Sequence, residues 1–229
     1  MKVLLITSSA RYEKSRSRFA ADKLIKSLEK LTPDTLEINH RDLSENPPSH
    51  LDEIYVKAIY NKKLEKNPDK FPEEVKRIEE SNSLVRELAE SDILIVATAM
   101  YNFNVPANLK LWIDHVVRSW QTFHYGSDSK WHGHLGNVTG HIIMSSGSLP
   151  PGGHINGKLY DHCSVYLQQI FDFIGIQDTG VTGFCNTMEV KVEDADYDNI
   201  ASRILEAKNI KIPKVQENED VNSDSGVSL

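Results

Sequence analysis

The chain has 229 residues, with 26 Lys+Arg against 33 Asp+Glu, a net charge of −7 and 39% apolar residues. This length fits one large α/β domain or two small ones, and the apolar fraction supports a packed core, which excludes global disorder. The negative charge argues against a nucleic-acid binder, which needs a basic face for phosphates, and the longest apolar run, residues 93–100, is too short to span a bilayer. The N-terminal apolar run is shorter than a secretory h-region. Cys163 and Cys185 form no close-spaced metal or redox motif, so a soluble protein of a reducing cytoplasmic compartment is expected.

Residues 2–7 (KVLLIT) are rich in Val, Leu and Ile without alternation, as in a parallel strand covered on both faces. A polar segment follows, and then Ala21, Leu24, Ile25, Leu28 and Leu31 recur at helical spacing until Thr32-Pro33-Asp34. TLEIN, 35–39, reads as a second strand, with Leu36 and Ile38 on one face. Asn46-Pro47-Pro48 is loop, and residues 51–66 are expected to be helical on a thin stripe of Leu51, Ile54, Ala58 and Ile59. Pro72, Glu73 and Glu74 suit the start of another helix, with Val75, Ile78, Val85 and Leu88 as its buried face.

DILIVATA, 92–99, is a third strand, and Pro106 opens a helix that buries Leu109, Trp112, Ile113, Val116 and Val117. Residues 121–137 read as loop, with Gly126, Gly133 and Gly136 among aromatics and histidines. A fourth strand at 138–144 precedes a Pro-Pro-Gly-Gly loop. An amphipathic helix at 159–174 ends at Gly175, a fifth strand follows at 176–184, and a last helix is expected at 194–208. Five strands alternating with helices make a parallel sheet wound on both faces. The expected organisation is one domain, 1–212, and an acidic, flexible tail, 213–229.

In such sheets ligands bind at the carboxyl ends of the strands, where the strand order reverses. For order 2-1-3-4-5 the loops at that point are 8–18, 99–106 and 145–154. The first holds Ser8, Ser9, Ser15 and Ser17 with Arg11, Arg16 and Arg18 before a helix N-terminus. That set suits a phosphate, or Ser15 or Ser17 simply caps the helix. The second, Met100-Tyr101-Asn102-Phe103, either offers aromatic surface to a flat ligand or packs its own rings. The third, Ser145-Ser146-Gly147-Ser148, permits close backbone approach or is an ordinary turn. The acyl-hydrolase motif GxSxG is absent around Ser145, and neither cysteine starts a Cys-x5-Arg loop. His132-Gly133-His134 lacks the further ligands of a metal site.

Taken together, these loops resemble those of the FMN-dependent NADH-azoreductases, within the flavodoxin-like NAD(P)H:quinone reductases. The strongest segment is MYNFNVPANLKLWIDHVVRSWQTFHY, 100–125, similar to that family's MYNF block, following helix and T-F-x-Y turn. KVLLITSSARYEKSRS resembles the phosphate loop, and FDFIGI, 171–176, resembles the helix end before the last strand. The third loop departs from the family's S-R-G-G, since Ser146 and Ser148 stand at the Arg and the last Gly.

The resemblance implies a flavodoxin-like three-layer sandwich with a five-stranded parallel sheet of order 2-1-3-4-5. It implies FMN phosphate at Ser9, Ser15, Arg16 and Ser17, and the flavin ring at Met100, Tyr101, Asn102 and Phe103, with Ser145, Ser146, Gly147 and Ser148 at the third loop. NADH or NADPH would reduce the flavin, and a quinone or azo compound would then take the hydride in ping-pong order. His124 and Tyr125 are candidate proton donors by position, or wall residues along with Phe103 and Trp131. A cytoplasmic homodimer, with no nucleic acid, membrane or metal partner, completes the expectation. The rival is a flavodoxin-like FMN electron carrier without NADH turnover.

Overall fold

The structure is a computed structural model that describes residues 1–61, 63–64, 66–147, 150–185, 192 and 195–210. The strands β1 (Lys2–Thr7), β2 (Glu37–Asp42), β3 (Ile93–Ala99), β6 (Thr139–Ser145) and β9 (Gln177–Phe184) form one parallel sheet in the order β2-β1-β3-β6-β9. Two antiparallel hairpins lie outside it, β4 (Phe123–Tyr125) with β5 (Trp131–Gly133), and β7 (His154–Ile155) with β8 (Lys158–Leu159). These four short strands shift the count, so the label 2-1-3-4-5 gives way to β2-β1-β3-β6-β9.

The missing alternation in the first strand has a direct cause. Val3 and Leu5 enter the core under α1 (Arg16–Leu31) and α6 (Tyr197–Ala207), with Leu24, Leu28, Ile204 and Leu205. Leu4 and Ile6 enter the opposite core, under α3 (Pro72–Ala89), α4 (Ala107–Val116) and α5 (His162–Ile174), with Leu88, Leu109, Trp112 and Phe171. Both faces of the sheet are therefore covered, and every residue of β3 is buried. Each buried Val, Leu or Ile of these strands contributes about 1.5–3 kcal/mol by leaving water.

Several sequence expectations change: the second strand runs Glu37–Asp42 rather than 35–39, and the helix expected from 159 begins at His162. The helix expected over 51–66 is α2 (Glu53–Tyr60), capped by Asp52, and it stops where the apolar stripe ends. The segment 121–137 is not loop throughout. The β4–β5 hairpin sits against the end of α5, where a Cβ on Gly133 would lie 2.2 Å from the backbone of Ile174 and Gly175. Gly175 itself turns left-handed, at φ 85°, to end that helix. The last helix begins at Tyr197, with Asp196 accepting from the Asn199 amide as its cap. Between β6 and β9 the register shifts around His141. Both its ring nitrogens meet threonines, Thr179 at 3.0 Å and Thr182 at 2.9 Å. Burial, and next the charge of Arg203, push the His141 pKa down to about 4. Among the described residues no helix is long and apolar enough to cross a membrane. The tail from residue 213 lies outside the described residues.

Candidate active site

Three chain segments meet at the carboxyl end of the sheet and line a cavity of about 130 Å³: Ser9, Arg11, Ser15 and Arg16, then Ala99, Met100 and Tyr101, then Ser145, Ser146 and Gly147. The first segment is held by polar contacts. Ser15 caps α1 by accepting from the Arg18 amide at 3.4 Å, and its hydroxyl lies 3.2 Å from that of Ser17. Ser9, Ser15 and Ser17 are all buried. As a first-turn residue, Ser17 has no intrahelical acceptor for its N–H.

Arg18 has a different task from the one its place in a basic loop suggests. It grips Asp42 through Nη1 and Nη2, at 2.5 and 2.7 Å, and its Nη2 also donates to the Ser9 carbonyl at 2.9 Å. Burial raises the Asp42 pKa, but the Arg18 hydrogen bond and the Ser44 amide outweigh it and hold the carboxyl below its ordinary value. Arg18 is thus a brace between α1, β2 and the Ser9 backbone. Arg11 and Arg16 are the arginines that line the cavity.

The second segment is a tight turn. Tyr101 and Asn104 exchange both backbone hydrogen bonds at 3.0 Å, and the two residues between them have positive φ, Asn102 at 49° and Phe103 at 70°. Positive φ at both central positions is the type I′ pattern, and for a bulky Phe it is a strained one. Tyr101 ties this turn to the first loop, because its hydroxyl accepts from the Ala10 amide at 3.2 Å. Phe103 packs edge-on against Tyr160, with centroids 5.1 Å apart, and its carbonyl accepts from the His162 amide at 2.9 Å. Strain concentrated at a strand end is a pointer to function.

The third segment is joined to both neighbours. Ser145 O accepts from the Met100 amide at 2.8 Å, and the Ser146 amide donates to Phe184 O at 2.9 Å. Gly147 has open space around the position of a Cβ, and Ser148 lies outside the described residues.

His124 and Tyr125 do not line this cavity. They belong to β4, where His124 lies 2.7 Å from His134 and stacks between Trp120 and His132, and Tyr125 is 61% exposed. Trp131 packs on Phe173 from the same hairpin. No group of three or more metal-ligating side chains is placed to hold a metal among the described residues. Both cysteines are free thiols, and burial pushes the Cys163 thiol up to about 12, with Asp161 adding to the effect.

Asn108 escaped the sequence reading. It opens α4 and reaches back, donating to Ser8 O at 3.2 Å and Ser44 Oγ at 3.1 Å, so it fixes the first loop against the second. An Asn two residues after Pro106 carries no distinguishing spacing. Ala99 also lines the cavity, as the last residue of an otherwise ordinary buried strand.

Residues 1–207 match a protein family described as having the flavodoxin-like fold. FMN-dependent NADH:quinone oxidoreductase 2 of Pseudomonas fluorescens (strain Pf0-1) is 36% identical, over 77% of this chain and 83% of its own length. FMN-dependent NADH:quinone oxidoreductase of Beijerinckia indica subsp. indica is 37% identical, over 77% of this chain and 84% of its own length. Among solved structures, the azoreductase from Bacillus anthracis str. Sterne is similar at a TM-score of 0.70 and 20% identity, covering 91% of this chain and 97% of that one. An FMN-dependent NADH-azoreductase from Bacillus anthracis str. Ames Ancestor, solved with FMN, has the same score and identity, covering 91% and 98%. At that identity the structural likeness speaks for the fold. The fold, the family match and relatives at 36–37% identity agree: this chain belongs to the flavodoxin-like family.

Proposed function

We propose that this chain is an FMN-dependent oxidoreductase that passes hydride from NADH or NADPH to quinones or aromatic azo compounds, in ping-pong order. The names of its relatives support this reading. The observation that carries it is the cavity that brings the start of α1, buried hydroxyls and two arginines together with Met100 and Tyr101, which lead into the strained turn at Asn102 and Phe103.

The residues fit FMN at both of its ends. A cavity of about 130 Å³ suits a phosphate and a polyol chain better than a whole tricyclic ring. The hydroxyls of Ser9, Ser15 and Ser17, the start of α1 and the charge of Arg16, with Arg11 beside it, would hold the phosphate. Met100, Tyr101, Asn102 and Phe103 would carry the ring. Neither the Asn102 nor the Phe103 amide donates a hydrogen bond among the described residues, so both remain available to a polar ring edge. Ser145, Ser146 and Gly147 would border the ring, with Ser148 continuing that loop. Bound FMN supplies the acceptor and donor of hydride, while this chain's side chains orient it and shape what can lie against it. No nucleophile is required. We further propose a cytoplasmic homodimer in which His124 or Tyr125 serves the site of a second copy, as donor of the proton that accompanies hydride. The 61% exposure of Tyr125 leaves its ring open to such a contact.

The test is anaerobic reduction followed by steady-state kinetics. NADH should bleach the flavin of the purified protein, and menadione should restore its colour. Varying both substrates should give parallel double-reciprocal lines, whereas intersecting lines would contradict the ping-pong order. Flavin binding without NADH turnover would point to the electron carrier instead.

A further inference from the structure

A second cavity, of about 710 Å³, opens between α2, α3 and the residues that follow α4. It shares no lining residue with the cavity at the strand ends. Ile59, Ile78 and Val85 form an apolar strip in a lining that also carries Asn61, Asn82, Arg86 and Gln121, and Trp120, 72% exposed, stands at its edge. Such a volume takes a small organic ligand.

Two arginines line it, the exposed Arg86 and Arg118, and Arg118 is the one withdrawn from water. Its Nη1 donates to Ser81 Oγ at 3.1 Å and to Asn82 Oδ1 at 2.8 Å. These bonds fix the plane of a partly buried guanidinium. Its Nε and Nη2 make no hydrogen bond, and no carboxylate pairs with it, among the described residues. Other arginines of the same chain have the partner that Arg118 lacks, in Arg18–Asp42, Arg41–Glu87 and Arg77–Asp52. Arg41 shows the geometry: its Nε and Nη2 hold the two oxygens of Glu87 at 2.7 and 3.2 Å. Burial lowers the pKa of Arg118, with no carboxylate to offset it. A cation withdrawn from water without a counter-charge is costly unless something pairs with it.

We propose that this cavity binds a small aryl or alkyl carboxylate, with the carboxylate on the Nε–Nη2 edge of Arg118 and the apolar body against Ile59, Ile78, Val85 and Trp120. The guanidinium fork supplies charge and direction, because its plane is already set by Ser81 and Asn82. The apolar strip beside Arg118 gives a ring or short chain a surface that a bare anion would not use. This site shares no lining residue with the strand-end cavity, although Trp120 at its edge stacks on His124.

Calorimetric titration of the full-length protein, saturated with FMN, would test it with naphthoate as the probe and naphthalenemethanol as its neutral counterpart. Naphthoate should bind saturably, one per chain, and at least about tenfold more tightly than the alcohol. Arg118→Gln should weaken naphthoate binding by about tenfold or more. Because that change also removes the contacts to Ser81 and Asn82, Ile59→Glu serves as a second variant. Ile59 is 36% exposed and lines the same cavity, so a carboxylate there is compatible with folding and would repel the carboxylate of the ligand and make the apolar strip charged. It should lower the affinity to a similar extent. Arg16→Gln, in the other cavity, should leave naphthoate affinity within about twofold. Equal binding of acid and alcohol, unchanged affinity in both cavity variants, or a loss confined to Arg16→Gln would overturn the proposal. So would the absence of saturation below about 1 mM, as when a side chain of a second copy already covers Arg118.

Discussion

The two sides of the strand-end cavity are built on opposite physical principles. The β1–α1 side is rigid because its polar groups are satisfied: Ser15 caps the helix, and Arg18 joins Asp42 to the Ser9 carbonyl. The 100–104 side is rigid although its backbone is strained, with Asn102 and Phe103 both held at positive φ. A phosphate needs donors fixed in number and direction, which hydrogen bonding provides. A flat ring needs a shelf that projects from a strand end, and a tight turn provides that at a cost in backbone energy. The same contrast gives each side a distinct sensitivity to mutation.

The largest expected effect is on the braced side. Arg18→Ala leaves Asp42 largely buried and unpaired, and should lower stability by about 3 kcal/mol in urea denaturation. Arg18→Lys should recover only part of this, because an ammonium cannot span both carboxylate oxygens. If Arg18→Ala cost no more than a surface change, the bracing account would fail.

Acid distinguishes the brace from the sheet beneath it. His141 has a folded pKa of about 4, below its ordinary 6.5, so the unfolded chain takes up its proton first as pH falls. Its stabilising effect is present above pH 6.5 and is lost between 6.5 and 4, by roughly 3 kcal/mol in all. Asp42, held below its ordinary 3.8, acts in the other range: its contribution is present above 3.8 and is lost only as pH falls further. Denaturation midpoints at stepped pH should fall from 6.5 to 4 in the parent chain, and much less in His141→Asn.

Smaller effects compare the two sides directly. Ser15→Ala removes the cap and one candidate phosphate donor, and should cost about 1 kcal/mol of stability and weaken FMN by about tenfold. On the strained side the sign depends on the residue. Asn102→Ala should cost about 1 kcal/mol, because alanine tolerates a left-handed backbone poorly. Asn102→Gly should be neutral, or stabilising by about 0.5 kcal/mol. Thermal denaturation of the pair would show whether the turn stores strain, and equal melting temperatures would argue that it does not.

Much of the frame was legible in the residues. KVLLIT and DILIVATA could only be buried strands, and β1 and β3 follow them closely because continuous apolar runs need two covered faces. Leu24, Leu28 and Leu31 marked α1 by spacing alone. What escaped depended on long-range partners. The β4–β5 hairpin has three-residue strands whose glycines and histidines read as loop, and Gly133 makes sense only beside the backbone of Gly175. Arg18 looked like part of a phosphate site, because nothing local announces that Asp42, 24 positions on, will take its charge. The strain at Asn102 and Phe103 was equally hidden, since neither is a glycine. Resemblance drew attention to that turn, and its left-handed backbone gives a physical reason for it to be there.

The central claim is that the β1–α1 side recognises the phosphate of FMN. Equilibrium titration of the flavin-free protein with FMN and with riboflavin, which lacks only that phosphate, tests it most directly. The account predicts FMN binding at least about 100-fold tighter than riboflavin, with most of that difference lost in Ser15→Ala/Arg16→Gln. Equal affinity for the two flavins would contradict it.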